Sequence, residues 1–175
     1  MPARLSFRLL CVIFAIRDFF SPPREKLLEA GLSPGMCVLD YGCGPGSFSI
    51  AAAEMIGPEG VVWALDVNPL AVGRTLRLAG SKGFSNIRGV SSVLETGLDS
   101  SSIDMVLLYD VFHDIGEGER DGMLRTIRGV LKPEGVLSFS DHHMDHGAIV
   151  RGVTESGVFR LGEPKKRTYD FLPVW

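Results

Sequence analysis

Cysteine, tryptophan and tyrosine are scarce in this 175-residue chain, at three, two and three residues, and there are only four histidines. Cys11, Cys37 and Cys43 are odd in number and lack zinc- or redox-type spacing, which excludes a disulfide framework. They read as small apolar residues in a reducing, cytoplasmic setting. The net charge is only −3, so a polyanion binder acting through overall basicity is excluded and no nucleic-acid partner is expected. With 45% hydrophobic residues, a disordered chain is excluded as well. No apolar run approaches the ~20 residues of a membrane span. Residues 9–16 come nearest, behind Arg4 and Arg8, as in the start of a signal peptide. Arg17, Asp18 and Ser21-Pro22-Pro23 follow, without a small-residue cleavage site.

What is present alternates. Residues 37–40, 61–65, 86–90, 104–109 and 136–140 are short, largely apolar stretches that read as buried strands. Between them, residues 48–55, 69–78 and 117–131 read as helices, the last followed by a Lys132-Pro133-Glu134-Gly135 turn. Residues 24–30 form a short helix stopped at Gly31. Such alternation predicts a parallel sheet covered on both faces. The tail changes character: residues 158–161 and 168–172 read as an antiparallel hairpin, with Lys165-Lys166-Arg167 in a solvated turn between them. No repeat or linker divides the chain, so residues 1–175 are read as one domain. In it, residues 1–23 form an N-terminal helix and residues 24–175 the core. That helix packs on the domain, caps a site, or joins a second copy as a homodimer; a membrane-surface role is disfavoured, because the segment lacks a strongly basic face.

The informative segment runs from Val38 to Phe48. A strand ends at Asp40, Gly42, Gly44 and Gly46 make a turn, and a helix opens near Ser47. Glycines allow sharp turning and close approach of a ligand, and the helix N-terminus offers free N–H groups. The spacing departs from the dinucleotide fingerprint G-x-G-x-x-G, placing Ser47 where its last glycine belongs, and no Gly-Lys-Ser/Thr follows as in a P-loop. Asp40, two residues before the first glycine, would repel a pyrophosphate and welcome an ammonium group.

The stretch Asp40-x-Gly42-x-Gly44-x-Gly46 resembles motif I of the class I S-adenosylmethionine-dependent methyltransferases. Three further segments agree in order: Asp66 at the end of the second strand, Ser102-Ile-Asp-Met-Val106 as the fourth strand, and Leu131-Lys-Pro-Glu-Gly-Val-Leu137 leading into the fifth. Small-molecule methyltransferases of the quinone-biosynthesis type are the most similar. The resemblance implies a Rossmann-like, doubly wound α/β fold with a mostly parallel seven-stranded sheet, helices on both faces and a C-terminal antiparallel hairpin. It implies S-adenosylmethionine as cofactor. Gly42, Cys43, Gly44 and Gly46 would shape the wall against its methionine part, and Asp40 would favour its ammonium group. Asp66 would hold the ribose, Val67 would pack on the adenine, and Tyr41 and Asp110 would complete the surround. The family often has Gly-Asp-Ala after its third strand; here that position falls at Ser92, so Ser92 and Val93 are the adenine-edge candidates.

Methyl transfer needs orientation, a dry site and, for some acceptors, a base. All four histidines follow the fourth and fifth strands, as His113 and as His142, His143 and His146. Histidine titrates near neutrality, which makes His113 the first candidate base and His142 the second. The same residues also serve as plain rim groups that position substrate. His142 and His146 would face together if their segment were helical, but no metal-binding motif accompanies them. The Asn/Asp-Pro-Pro-Tyr motif of nucleobase methyltransferases is absent. A small, apolar or aromatic acceptor methylated at oxygen or carbon is therefore expected, with Phe14, Phe19 and Phe20 of the N-terminal helix as candidate lining. Two other readings remain: a cofactor-binding regulatory or assembly protein on the same fold, and a nicotinamide-dependent oxidoreductase.

Overall fold

In the computed structural model, residues 2–91 and 96–175 are described. Strands β1 (Cys37–Tyr41), β2 (Val61–Leu65), β3 (Ile87–Val90), β4 (Ile103–Tyr109), β5 (Leu131–Ser140), β6 (Phe159–Pro164) and β7 (Tyr169–Pro173) form one sheet in the order β3-β2-β1-β4-β5-β7-β6. The first five strands pair in parallel, β7 runs antiparallel to β5, and β6 runs antiparallel to β7. This is the expected doubly wound α/β sheet with its C-terminal hairpin.

Successive residues of a strand point to opposite faces, so each apolar strand feeds two cores. Leu39, Val106 and Leu108 join Phe112, Phe139 and Phe171 in one cluster, beneath α5 (Glu117–Val130) and α6 (His146–Thr154). Val38, Met105 and Leu107 face the other cluster, covered by α2 (Pro23–Ala30), α3 (Ser47–Ile56) and α4 (Pro69–Ser81). The chain order reverses between β1 and β4, and in open α/β sheets the crevice at the C-terminal ends of such a pair is where ligands bind.

Three expectations need correction. The strand β5 starts at Leu131, not Val136, because Ile103 pairs with Leu131 and Met105 with Val136. Residues 132–135 bulge opposite Asp104, whose carboxylate holds Lys132 Nζ at 2.6 Å. A helix, α6, occupies residues that the sequence left unassigned: the Asp145 side chain caps it by accepting the Ala148 N–H, and Ile149 and Val153 bury one face. The basic turn is not merely solvated, since Arg167 pairs with Glu25 at 2.7 Å and Lys165 donates to the Ala30 carbonyl at 3.1 Å, fastening the hairpin to α2.

The N-terminal helix α1 (Pro2–Phe20) touches the body through Phe14 and Arg17. No helix among the described residues is long and apolar enough to cross a membrane.

Candidate active site

At the C-terminal end of β1 the chain turns through Gly42, Gly44 and Gly46, with φ of +86°, +50° and +96°. Two of these positions admit only glycine. A Cβ on Gly42 would lie 2.3 Å from Val111 Cγ2, and one on Gly46 would lie 2.5 Å from Thr75 Oγ1 and 3.1 Å from the Thr75 Cα. The turn is tied to β2, for the Gly42 and Cys43 N–H groups both donate to the Leu65 carbonyl at 2.8 Å. Asp66 completes the tie: Oδ2 accepts the Gly44 N–H at 2.9 Å and Oδ1 the Asn68 N–H at 2.8 Å. It is Asn68, not Asp66, that caps α4, through Leu70 N–H.

The crevice holds a cavity of about 390 Å³, within the roughly 300–1,000 Å³ of small-molecule sites. Tyr41, Gly42, Gly44, Asp66, Val67 and Asp110, all expected at the cofactor, line it, and Phe14 of α1 closes one side. Asp40, Cys43 and Gly46 stand behind that wall. Asp40 is only 3% exposed and accepts the Ser49 Oγ–H at 2.5 Å. Burial, with the neighbouring Asp66 charge, pushes its carboxyl up to about 6. The Cys43 thiol is likewise pushed far up by burial and is no nucleophile. Ser92 and Val93 lie outside the described residues.

Asp110 adopts φ +56°, rare for a non-glycine residue, and its N–H donates to the Ser140 carbonyl. Oδ1 accepts the His142 N–H at 3.1 Å and meets its Nδ1 at 2.7 Å, while Oδ2 lies 3.5 Å from Arg17 of α1. Burial opposes its ionisation, yet the His142 hydrogen bonds hold it below the usual carboxylate range. Arg17 itself stacks on Phe14 and reaches Ser47, so α1 is clamped across the cavity by one cation. Sequence reasoning missed Arg17, because no motif marks it.

The histidines form an array beside the cavity rather than in its wall. His113 Nδ1 lies 2.9 Å from Oδ2 of Asp141, a carboxylate with a fully buried side chain. A carboxylate accepts, so Nδ1 carries a proton. Nε2 lies 3.5 Å from Asp114, and Asp114 lines the cavity. Asp141 also accepts the His143 N–H, and the His143 ring stands between those of His113 and His142, at 4.2 and 3.8 Å. Asp141 as the group that orients His113 was not foreseen. His146 opens α6 and faces the Tyr169 ring, away from the His142–Asp110 pair, so the two do not converge. Among the described residues no group of three or more His, Cys, Asp or Glu is arranged to hold a metal ion. Phe19 and Phe20 are each 80% exposed and leave Phe14 alone at the cavity.

The cavity wall is mainly acidic: among the described residues its lining carries Asp66, Asp110, Asp114 and Glu119 and no lysine or arginine, with Arg17 standing beside Asp110 at 3.5 Å. Such a wall suits a cationic ligand and opposes a pyrophosphate.

Residues 32–159 match the family model described as a methyltransferase domain. The chain is 29% identical over 161 residues to an aklanonic acid methyltransferase from Streptomyces sp. (strain C5), covering 89% of this chain and 62% of that protein. It is 35% identical over 134 residues to a ribosomal RNA large subunit methyltransferase E from Neisseria meningitidis serogroup C (strain 053442), covering 70% of this chain and 59% of that one. The chain thus spans about three-fifths of the length of these relatives. A SAM-dependent methyltransferase from Aquifex aeolicus shares its fold, with a TM-score of 0.74 at 24% identity over 87% of this chain and 88% of that one. The chain belongs to the methyltransferase domain family, with the fold and glycine turn of its class I, S-adenosylmethionine-dependent members.

Proposed function

We propose that the chain transfers the methyl group of S-adenosylmethionine to oxygen or carbon of a small apolar or aromatic acceptor. The observation that carries this is the cavity over the glycine turn, lined by four carboxylates. The residues fit the cofactor: Asp66 for the ribose hydroxyls, Val67 and Leu65 for the adenine face, and the bare backbone of Gly42 and Gly44 for the methionine part. Asp40 answers its ammonium charge from behind the turn. When bound, the cofactor supplies an electrophilic methyl group on a sulfonium. The chain supplies orientation, exclusion of water by Phe14 and α1, and a base.

His113 is the base this arrangement favours. Asp141 orients its ring through Nδ1 and turns Nε2 toward the Asp114 rim. His113→Gln is expected to lower kcat by about 10²-fold or more on an ionisable acceptor, with cofactor affinity unchanged. Stopped-turnover assays and calorimetry read the two separately.

Asp40 makes cofactor binding depend on pH. Its folded pKa of about 6 stands above the ordinary 3.8, so near pH 5 the buried carboxyl is largely protonated. A cation nearby favours the ionised form. Affinity for S-adenosylmethionine should therefore rise as pH climbs through about 6, with release of a proton, and Asp40→Asn should flatten the profile. Titrations at several pH values check this.

The name of the Streptomyces relative, a methyltransferase of aklanonic acid, supports a small aromatic acceptor, and the acidic charge balance favours it over RNA. Three free cysteines suit a reducing compartment, the cytoplasm. The experiment is a label-transfer screen from S-adenosylmethionine across phenols, catechols, quinols, activated carbon acids and ribosomal RNA. Product with a small acceptor is expected. Product with RNA alone overturns the acceptor class. Tight cofactor binding with no product from any acceptor favours a regulatory or assembly role.

A further inference from the structure

The helix α1 wears its apolar stripe on the outside. Leu9, Val12, Ile13, Ile16, Phe19 and Phe20 follow one another at helical spacing, which ordinarily marks the face a helix buries. Here they are 53–80% exposed, while Phe14 and Arg17 face the body. Between α1 and α4 runs a groove of about 1010 Å³, apolar along α1 and edged by Arg74 and Arg77 of α4. Arg74 Nε is buried there without a hydrogen-bond partner. Among the described residues, no acidic side chain lines the groove. Charge is segregated in the same sense. α1 contains Arg4 and Arg8, besides an Arg17 that is taken up by Asp18 at 2.7 Å and Asp110 at 3.5 Å, and α4 has two arginines and no acid, in a chain whose net charge is −3.

We infer that this face docks on the surface of an anionic phospholipid bilayer, with α1 lying in the plane of the interface. An apolar stripe this continuous is too large to leave in water, and six large side chains at one level are what the acyl boundary accepts. The guanidinium ends of Arg74 and Arg77 at the groove edge then meet lipid phosphates. A second copy of the chain fits less well. A two-fold contact through the same face would pack two arginine-edged grooves together, with no carboxylate among their described lining residues to offset the charge. The geometry is that of a helix whose inner side closes the cofactor cavity and whose outer side rests on lipid. If the proposed transfer reaction holds, acceptors dissolved in the leaflet reach the site from that side.

Co-sedimentation of the full chain with vesicles tests this, without cofactor or acceptor, so its outcome is independent of the methyl-transfer reading. Vesicles of phosphatidylcholine mixed with phosphatidylglycerol are compared with phosphatidylcholine alone. Binding to the anionic vesicles is expected to be at least about tenfold tighter and to weaken with salt. Ile16→Ser/Phe20→Ser should abolish it, and Arg74→Gln/Arg77→Gln should reduce it about tenfold. These positions are exposed or half-exposed, and S-adenosylhomocysteine affinity confirms that the variants are folded. Equal partition into both vesicle types, or no partition into either, overturns the proposal. So does a dimer in sedimentation equilibrium that Ile16→Ser/Phe20→Ser dissociates while the wild-type chain ignores vesicles.

Discussion

Asp66→Ala is expected to weaken S-adenosylhomocysteine binding by about 10²- to 10³-fold, the largest loss of any single side chain at the site. Hydrogen bonds to a charged acceptor contribute roughly 1.5–3 kcal/mol each, and two ribose hydroxyls would lose theirs together. The same oxygens also hold the Gly44 and Asn68 N–H groups, so the alanine frees the turn at the moment its ligand arrives. Asp66→Asn keeps an acceptor and should fall in between, about tenfold weaker than wild type. Calorimetric titration measures all three proteins. Thermal melting separates the binding loss from a loosened turn, because the turn contributes only a cap-sized ~1–2 kcal/mol to stability.

Gly46→Ala should be the most destabilising small change in the molecule. At φ +96° an L-residue is strained by about 1–2 kcal/mol. The new methyl would also press on Thr75, which is fully buried in α4, so relief requires moving helix backbone. Overpacking of this kind costs a further ~1–3 kcal/mol. Together they predict a fall of about 5–15 °C in Tm. Gly31→Ala is the control: it too has a positive φ, +88°, but nothing lies within 4 Å of its Cβ, so only the backbone contribution is expected. A scanning calorimeter reads the difference. Equal losses in the two variants would show that the contact with Thr75 carries no strain.

The strands and the glycine turn were legible in the sequence because those features are local. An apolar run such as Ile103–Tyr109 has to be buried on both sides, and a glycine turn after a strand is written in consecutive residues. The misses have equally physical causes. Residues 132–135 have the composition of a turn, and only pairing of Leu131 with Ile103 makes them a bulge within β5. The helix α6 hid behind three histidines, two aspartates and a glycine, although Asp145 is a sound N-cap. The orientation of His113 by Asp141 and the Arg17–Asp110 clamp join residues far apart in the chain, and no periodicity foretells them. The apolar run of residues 9–16 did mark α1 as a helix that packs on something. It said nothing of which way the stripe faces, since that is decided by Phe14 and Arg17 on the other side.

The most direct measurement is a crystal structure of the chain with S-adenosylhomocysteine. The account predicts the ligand in the cavity beneath Phe14, its ribose hydroxyls within hydrogen-bond distance of Asp66 and its homocysteine part against the Gly42–Gly44 backbone. A nucleoside found instead in the groove between α1 and α4, or a ribose away from Asp66 with the carboxylate still bonded only to Gly44 and Asn68, would contradict it.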